Sequence, residues 1–245
     1  MEGALVRQLL DNNIAAIRVP HFLSSTACEE SREVLSKLPD WSFYEGGTPP
    51  LGRLGITQYE HFGAKQEYLS KAASEMVARD RNLQNLQDPL EKLLSSLNQV
   101  WPNGATIASE AGQTYFAGVF RRGTTGTIHA DWAPRDAAGW SIADIRAQLG
   151  WNVYYELPQK GGNLVVYNRL WTPDVEIHAR QRFNDYDPKV FDDLQCVEIE
   201  LRVGDLVLFN ARNAHMVTNS PNGDQRLSVG SFVGEMPDQQ LVFWS

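Results

Sequence analysis

Short apolar runs, separated by Gly, Pro and Asn, fill the chain from about residue 105 to its end. Representative runs are "QTYFAGVFR", "GWNVYYEL", "GNLVVYN", "DLVLFN" and "RLSVGSFVG". Strands of this length, divided at this spacing by turn residues, are typical of antiparallel sandwiches and barrels. We therefore predict a mainly β fold over residues 105–245, and its closest architecture is a double-stranded β-helix, which is a jelly roll.

Residues 1–104 are predicted to support this core with helices packed outside the barrel. The hydroxyl-rich Ser24-Ser25-Thr26 precedes an amphipathic run and predicts a capped helix. Residues 40–63 are rich in Gly, Pro and aromatic residues without a clear period, which predicts a loop folded over a pocket. Residues 64 to about 100 are predicted to be helical, since leucines recur there at helical spacing: Leu83, Leu86, Leu90, Leu93, Leu94 and Leu97.

A charged, partly helical insertion is predicted at about residues 173–194, between two strands. Its composition fits either a solvated insertion or a lid over the mouth of a pocket. With 245 residues and 42% hydrophobic content, the chain can bury a substantial core, and barrels of this length often form one domain. We therefore expect a single domain over 1–245.

His129, Asp131 and His215 form the pattern that carries chemistry. His129 and Asp131 lie two residues apart in "GTIHADW", so along an extended strand both side chains point to the same side. His215 follows the predicted strand "DLVLFN" and would come from another strand of the same barrel. Two imidazoles and one carboxylate on one face of a metal leave positions open, which is the arrangement of non-haem Fe(II) oxygenases.

Arg226 lies eleven residues after His215, and Ser228 lies two residues further along. A guanidinium binds a carboxylate through two parallel hydrogen bonds, and a nearby hydroxyl can assist. The pair therefore predicts a site for an organic acid across the cavity from the metal.

With these motifs, the chain resembles the Fe(II)/2-oxoglutarate-dependent oxygenase superfamily, whose fold is a cupin-like jelly roll. The resemblance covers roughly residues 105–245 and includes "PQKGGNLVVYN", "VGDLVLFN" and the C-terminal "LVFWS". These stretches look most like the small-molecule branch, which contains amino-acid hydroxylases and carrier-independent aliphatic halogenases.

The resemblance implies a role for each motif. His129, Asp131 and His215 would hold Fe(II), and Arg226 with Ser228 would bind the distal carboxylate of 2-oxoglutarate; Tyr115 is added to this cofactor-binding set. With O2 as the second co-substrate, such a dioxygenase releases succinate and CO2 and hydroxylates an aliphatic C–H bond. Substrate contacts are predicted, from residues on strands near the triad, for Trp132, Arg121, Asn152, Tyr154 and Trp244.

Asp131 bears on which reaction the chain carries out. In the halogenases that the chain resembles, Gly or Ala replaces this carboxylate and chloride fills the vacated position. The carboxylate is present here, so native halogenation is disfavoured. The expected substrate is a small molecule such as an amino-acid derivative, a nucleotide or another natural-product intermediate, and Arg121, Arg122 and Arg135 could attract an anionic group of it or lie solvated at the rim.

Two other functions stay open. A protein or peptide hydroxylase would need an open groove, whereas the aromatic loop and the insertion favour a covered pocket. A non-catalytic, metal-binding cupin-like module would have no evident need for Arg226 and Ser228.

Composition excludes several classes of partner and location. The net charge of −8 argues against binding to nucleic acid polymers or to an anionic membrane. Cys28 and Cys196 lie far apart, which excludes a disulfide framework and fits a reducing compartment. Neither a signal peptide nor an apolar run of about 18 residues is present. We expect a cytoplasmic protein without a membrane anchor, of open oligomeric state.

Overall fold

The computed structural model describes residues 1–44, 50–124, 126–182 and 185–245. The helices are α1 (Gly3–Leu10), α2 (Ser25–Lys37), α3 (Lys65–Asn82), α4 (Pro89–Val100), α5 (Ala133–Asp136) and α6 (Pro173–Ala179), and short 3-10 helices span Gln58–His61, Ser141–Asp144 and Pro188–Val190. The strands are β1 (Ala16–Val19), β2 (Ser42–Phe43), β3 (Gly52–Leu54), β4 (Ala105–Ile107), β5 (Ser109–Glu110), β6 (Gln113–Thr114), β7 (Val119–Gly123), β8 (Gly126–His129), β9 (Ala147–Glu156), β10 (Leu164–Leu170), β11 (Arg180–Arg182), β12 (Asp185–Tyr186), β13 (Cys196–Ile199), β14 (Leu206–Asn210), β15 (Asn213–Val217), β16 (Arg226–Glu235) and β17 (Leu241–Trp244).

Two antiparallel sheets form the core of the jelly roll. The larger sheet has the order β1-β14-β9-β16-β7-β3-β2, with β17 beside β16 and β4 beside β17. The smaller sheet has the order β13-β10-β15-β8. From β7 to β10, and again from β13 to β16, successive strands alternate between the two sheets, which is how a jelly roll is wound. The predicted mainly β, cupin-like double-stranded β-helix is confirmed.

The N-terminal helices cover the outer face of the larger sheet, as predicted. Alternate residues of a strand point to opposite faces, and Trp151 and Val153 of β9 belong to a buried cluster with Leu9 of α1, Leu35 of α2 and Leu93 of α4. Leu227, Val229 and Val233 of β16 lie in the same cluster. The residues between these, including Asn152 and Tyr154 of β9, therefore face the smaller sheet.

The helical character predicted over 64–100 is confirmed, but it is divided between α3 and α4, with a break between them. Asn85 has a left-handed backbone with φ of 70°, and Asp88 caps α4 by accepting a hydrogen bond from the Leu90 N–H at 2.9 Å. Pro89 stands in the first turn of α4, where its missing N–H costs no hydrogen bond. Because the leucines continue at helical spacing across the break, their pattern gave no sign of it. The Ser24 cap of α2 is confirmed, since its side chain accepts from the Ala27 N–H.

The loop predicted over 40–63 is wrong in part. β2 and β3 pair with each other, and β3 pairs with β7, so that Arg53 lies opposite Arg121. This segment extends the larger sheet at its edge. Residues 45–49 of the predicted loop lie outside the described residues.

The predicted insertion at 173–194 packs against the outer face of the smaller sheet. Val175 and Ala179 of α6, together with Phe191, form a buried cluster with Ile128 of β8 and Ala214 of β15. Its apolar side chains cover the outer face of the sheet that carries both candidate histidines. The segment is therefore more than a solvated insertion, and it extends beyond the mouth of the barrel. Whether its hairpin β11–β12 moves as a lid stays a prediction.

No helix in the described part of the chain is both long enough and apolar enough to cross a lipid bilayer.

A buried ion pair joins two of the helices to the larger sheet. Arg79 of α3 is 4% exposed and donates two hydrogen bonds to Asp88, at 2.7 and 2.6 Å. Its Nε also donates to the carbonyl of Gly118, directly before β7. Because Asp88 caps α4 as well, these hydrogen bonds connect α3, α4 and β7.

We predict that Arg79→Ala lowers the free energy of unfolding by about 3 to 5 kcal/mol, because it leaves the Asp88 charge without its partner in a buried site. Urea unfolding followed by circular dichroism measures this change. Arg81→Ala, at an exposed position of α3, is the control and should change stability by less than about 0.5 kcal/mol. Equal effects of the two substitutions would show that the pair is not a stabilising connection.

Candidate metal centre and its surroundings

The donor atoms of His129, Asp131 and His215 converge on one point between the sheets. The Asp131 Oδ2 atom lies 3.6 Å from the His129 Nε2 atom and 3.3 Å from the His215 Nε2 atom, and all three donor atoms lie within 4.8 Å of one another. Ligand atoms about 2.0 to 2.2 Å from one ion, at right angles, would be separated by about 3 Å. The three side chains therefore fit a single metal ion with only small adjustments.

The strand pairing brings the two histidines together. His129 at the end of β8 lies directly opposite His215 of β15, and the ring centroids are 4.3 Å apart. Beyond β8 the chain stays extended, and the Asp131 N–H donates to the carbonyl of Ala211 at 2.9 Å. The side chains at positions 129 and 131 consequently face the same side, as the His-x-Asp spacing predicts.

Backbone carbonyls orient both imidazoles. His129 Nδ1 lies 2.7 Å from the Thr127 carbonyl oxygen, and His215 Nδ1 lies 2.9 Å from that of Asn213. A carbonyl oxygen can only accept, so Nδ1 must carry the proton in each ring. The lone pair of each Nε2 then faces the centre, which is the tautomer that a metal requires.

The surroundings favour the charge states that bind a metal. Burial lowers the pKa of His129, and the neighbouring His215 adds to this effect, so the neutral imidazole is favoured. Burial acts to raise the pKa of Asp131, but the two imidazoles, when they are protonated, and the Arg135 charge outweigh burial and hold the pKa well below the usual aspartate range. A neutral His129 imidazole and an ionised Asp131 carboxylate suit a divalent cation with N and O ligands.

Packing holds the ligand side chains in place. The Phe209 ring contacts His215 edge-on, at 4.8 Å between centroids. On the neighbouring strand, Gly150 leaves space for that ring, since a Cβ there would lie 2.6 Å from Phe209. Arg135 donates to the Ala130 carbonyl at 2.7 Å and thereby supports the segment between His129 and Asp131.

Arg226 and Ser228 lie on the inner face of the larger sheet. Leu227 between them belongs to the cluster on the helix side, so alternation turns both neighbours inward. The Arg226 guanidinium carbon lies 6.0 Å from the centroid of the Tyr154 ring. Burial lowers the pKa of Arg226, and the positive charge of Arg121 adds to this effect. In the part of the chain that the structure describes, no carboxylate forms an ion pair with Arg226.

Of the predicted substrate residues, Arg121, Asn152 and Tyr154 lie close to this site. Tyr154 and Arg121 both lie opposite Ser228, on its two sides, and Asn152 lies opposite Gly230. Burial raises the pKa of the Tyr154 hydroxyl to about 12 although Arg226 acts in the opposite direction. The position of Tyr154 beside Arg226 favours a contact with the co-substrate over the predicted contact with the substrate.

Trp132 and Trp244, which are predicted to contact the substrate, both pack against other side chains of the protein. Trp132 follows Asp131, and the Arg212 guanidinium lies 4.7 Å from the centroid of its ring. Trp244 is 1% exposed and packs against Phe232, at 5.7 Å between ring centroids, as a core residue does. Their contacts with substrate stay predictions.

The Tyr115 hydroxyl donates to Glu110 at 2.7 Å and lies 3.2 Å from the Ser141 hydroxyl. No contact among the described residues joins Tyr115 to Arg226 or Ser228. The structure therefore does not bring Tyr115 into the site for the organic acid, and its cofactor role stays a prediction without a supporting contact.

Tyr59 is a neighbour of the centre that the sequence analysis missed. It lies in the 3-10 helix Gln58–His61 and is 38% exposed. Partial burial raises the pKa of its hydroxyl to about 12, and the Asp131 charge adds to this effect. The aromatic character of the 40–63 segment was the available signal, but only the fold shows which of its rings lies near Asp131.

Three comparisons with known proteins support a common origin and fold. The leucinostatins biosynthesis cluster protein S of Purpureocillium lilacinum is 33% identical over 211 residues, which cover 80% of this chain and 86% of that protein. The L-gamma-glutamyl-L-propargylglycine hydroxylase of Streptantibioticus cattleyicolor is 28% identical over 254 aligned positions, covering 99% and 94%. An N-substituted L-amino acid dioxygenase from Burkholderia ambifaria, also solved in complex with alpha-KG, has the same fold with a TM-score of 0.64 at 14% identity, covering 99% of this chain and 91% of that one.

These relationships confirm the predicted superfamily and the dioxygenase class of the enzyme. The predicted cofactors, Fe(II) and 2-oxoglutarate, agree with the family and with the donor set of two imidazoles and a carboxylate. The sequence model of the family described as "Carrier-protein-independent halogenase WelO5" matches residues 2–245, and the chain belongs to that family.

Proposed function

We propose that the protein is an Fe(II)- and 2-oxoglutarate-dependent dioxygenase that hydroxylates an unactivated aliphatic C–H bond of a small molecule. His129, Asp131 and His215 would hold the iron, and Arg226 with Ser228 would bind the distal carboxylate of 2-oxoglutarate. The observation that carries this proposal is the convergence of Asp131 Oδ2 with both Nε2 atoms, at 3.6 and 3.3 Å.

With both groups bound, the iron would activate O2, which is the oxidant; oxidation of 2-oxoglutarate to succinate and CO2 would supply two of the four electrons that O2 accepts, and the C–H bond would supply the other two. The chain supplies orientation and the exclusion of water. The carbonyls of Thr127 and Asn213 fix the tautomers of the two imidazoles. Arg226 offers a desolvated guanidinium, whose attraction for a carboxylate is stronger in a low-dielectric site than in water.

Asp131 favours hydroxylation over halogenation, although the family is described by a halogenase. A halide at the iron needs a coordination position that no protein ligand occupies. In this chain the Asp131 carboxylate already faces that centre, with its pKa held below the usual range and its charge retained at neutral pH. The carboxylate thereby excludes the halide from its position.

An amino-acid derivative is the substrate class that the relatives support. One relative is named for hydroxylating L-gamma-glutamyl-L-propargylglycine, and a protein of the same fold is named for acting on N-substituted L-amino acids. We further propose that residues 1–245 act as one domain, since helices α1, α2 and α4 share a buried cluster with the larger sheet.

Replacing the carboxylate ligand provides the first test. We expect Asp131→Ala to lower succinate formation by more than about 100-fold. Replacing a residue that only orients a metal ligand costs at most about 100-fold, and the loss of a ligand itself should exceed this. Fe(II) content, succinate release and product mass are measured with and without added chloride, because the variant has room for a halide. Asp144→Ala removes an exposed carboxylate and should behave as the wild type. Hydroxylation by Asp131→Ala at the wild-type rate would exclude Asp131 as a ligand.

Replacing the guanidinium provides the second test. We expect Arg226→Gln to raise the KM for 2-oxoglutarate by about 10- to 100-fold, because charge-assisted hydrogen bonds contribute about 1.5 to 3 kcal/mol. Fe(II) affinity should stay unchanged, since Arg226 is not one of the three side chains whose donor atoms converge on the centre. Steady-state kinetics are measured with 2-oxoglutarate and with pyruvate, which lacks the distal carboxylate. The comparison separates a loss of binding to that carboxylate from a general loss of activity. A KM equal to that of the wild type would contradict the assigned role.

A further inference from the structure

Three arginines flank the His-x-Asp segment in the sequence, and the structure gives each a different environment. Arg122 lies on the helix side of β7, and its guanidinium carbon is 4.6 Å from the centroid of the Trp41 ring. Arg135 is engaged within the protein and pairs with Glu176 at 3.0 Å, among other contacts. Of the three, Arg121 is the one that faces the interior between the two sheets.

The strand register places Arg121 next to the proposed 2-oxoglutarate site. Arg121 lies directly opposite Ser228, and Gly123 lies opposite Arg226. Arg121 and Arg226 are therefore diagonal neighbours on one face, a relation that corresponds to about 7 to 8 Å between backbone positions. The charge of Arg121 also acts on the pKa of Arg226, which agrees with this proximity.

Arg121 is oriented by a hydrogen bond, and its charge has no carboxylate partner among the residues that the structure describes. Its Nε donates to the Tyr44 hydroxyl at 3.2 Å, which directs the side chain. The neighbouring Arg53 pairs with Glu60 at 2.6 Å, so that pair is neutral overall. Within the described ranges no carboxylate forms an ion pair with Arg121.

A count of the charges with Fe(II) and 2-oxoglutarate bound leaves Arg121 without a negative partner. The two charges of Fe(II) and the one of Arg226 are balanced by Asp131 and the two carboxylates of 2-oxoglutarate. Arg121 then leaves one positive charge in a partly buried position, and such a charge is costly without a partner. A substrate with one carboxylate would compensate it, whereas a phosphate monoester would bring close to two negative charges.

A neutral polar group lies on the same face, one row further along the sheet. Asn152 lies opposite Gly230, and a Cβ at position 230 would overlap with the Asn152 side-chain oxygen. The glycine thus leaves room for this amide, which has no hydrogen-bond partner among the described residues. Arg121 and Asn152 lie on the two strands that flank β16, one row apart, so their backbone positions are separated by about 12 Å. The long Arg121 side chain and a small organic acid can bridge this distance together.

On the basis of the proposed function, we propose that Arg121 binds a carboxylate of the substrate, beside the 2-oxoglutarate site. The substrate class is then a small carboxylic acid, such as an amino-acid derivative with a free carboxylate. Asn152 is the polar group placed to contact the rest of such a molecule.

The test compares the wild type with Arg121→Gln and with the matched variant Arg122→Gln. Arg122 is the next residue of β7, but its side chain lies on the helix side of the sheet. Each is loaded anaerobically with Fe(II) and 2-oxoglutarate, and the charge-transfer absorption gives the 2-oxoglutarate affinity. The probes are L-leucine, N-acetyl-L-leucine and γ-L-glutamyl-L-leucine, each against its carboxamide, and uridine 5′-monophosphate against uridine. Perturbation of the absorption reports probe binding, and succinate release in air reports turnover.

We expect wild type and Arg122→Gln to bind at least one of the carboxylates about 10- to 100-fold more tightly than its carboxamide, the range for charge-assisted hydrogen bonds. Arg121→Gln should lose this preference and keep the wild-type affinity for 2-oxoglutarate.

Each other outcome has its own meaning. If the wild type forms no Fe(II)–2-oxoglutarate absorption, the proposed function fails and the substrate inference fails with it. If the absorption forms but no probe carboxylate is preferred, or the preference survives in Arg121→Gln, only the substrate inference is wrong. A preference for the phosphate probe that depends on Arg121, or a large loss of 2-oxoglutarate affinity in Arg121→Gln, would also overturn it.

Discussion

The pairing of β8 with β15 is the constraint on which the candidate centre depends. It places His129 directly opposite His215 and leaves the chain extended up to Asp131. The carbonyls that orient the two imidazoles belong to Thr127 and Asn213 on these same two strands. Because backbone hydrogen bonds set both the positions and the tautomers of the rings, the centre is organised by the sheet rather than by mobile loops.

The two sheets contribute different halves of the site. The histidines come from the smaller sheet, whereas Arg226, Ser228 and Tyr154 come from the inner face of the larger one. The helices and the buried pair of Arg79 with Asp88 support the larger sheet from outside. The inner face can therefore carry desolvated polar groups, since the apolar residues that stabilise the fold lie mainly on the other side of the same strands.

Local pattern was sufficient to predict the jelly roll, the His-x-Asp geometry and the inward position of Arg226 with Ser228, because a period of two along a strand determines which side chains share a face. Local pattern was not sufficient where the pairing of strands that are distant in sequence determines the surroundings of a side chain. Arg121 and Arg122 are adjacent in sequence, and only the pairing of β7 with β16 and β3 separates an interior charge from one that stacks on Trp41. The break between α3 and α4 was concealed by continuous leucine spacing, although Asp88-Pro89 carried its signal.

The insertion that covers the back of the smaller sheet has an evolutionary consequence. Its α6 helix packs behind β8 and β15, and Arg135 connects Glu176 of that helix to the carbonyl of Ala130, directly before Asp131. Variation in this outer segment can thus shift the strands that carry His129 and His215 by small amounts without altering any side chain that faces the candidate centre. Under the proposed function, substitutions in this outer segment would change which C–H bond lies nearest the iron while the ligands stay the same.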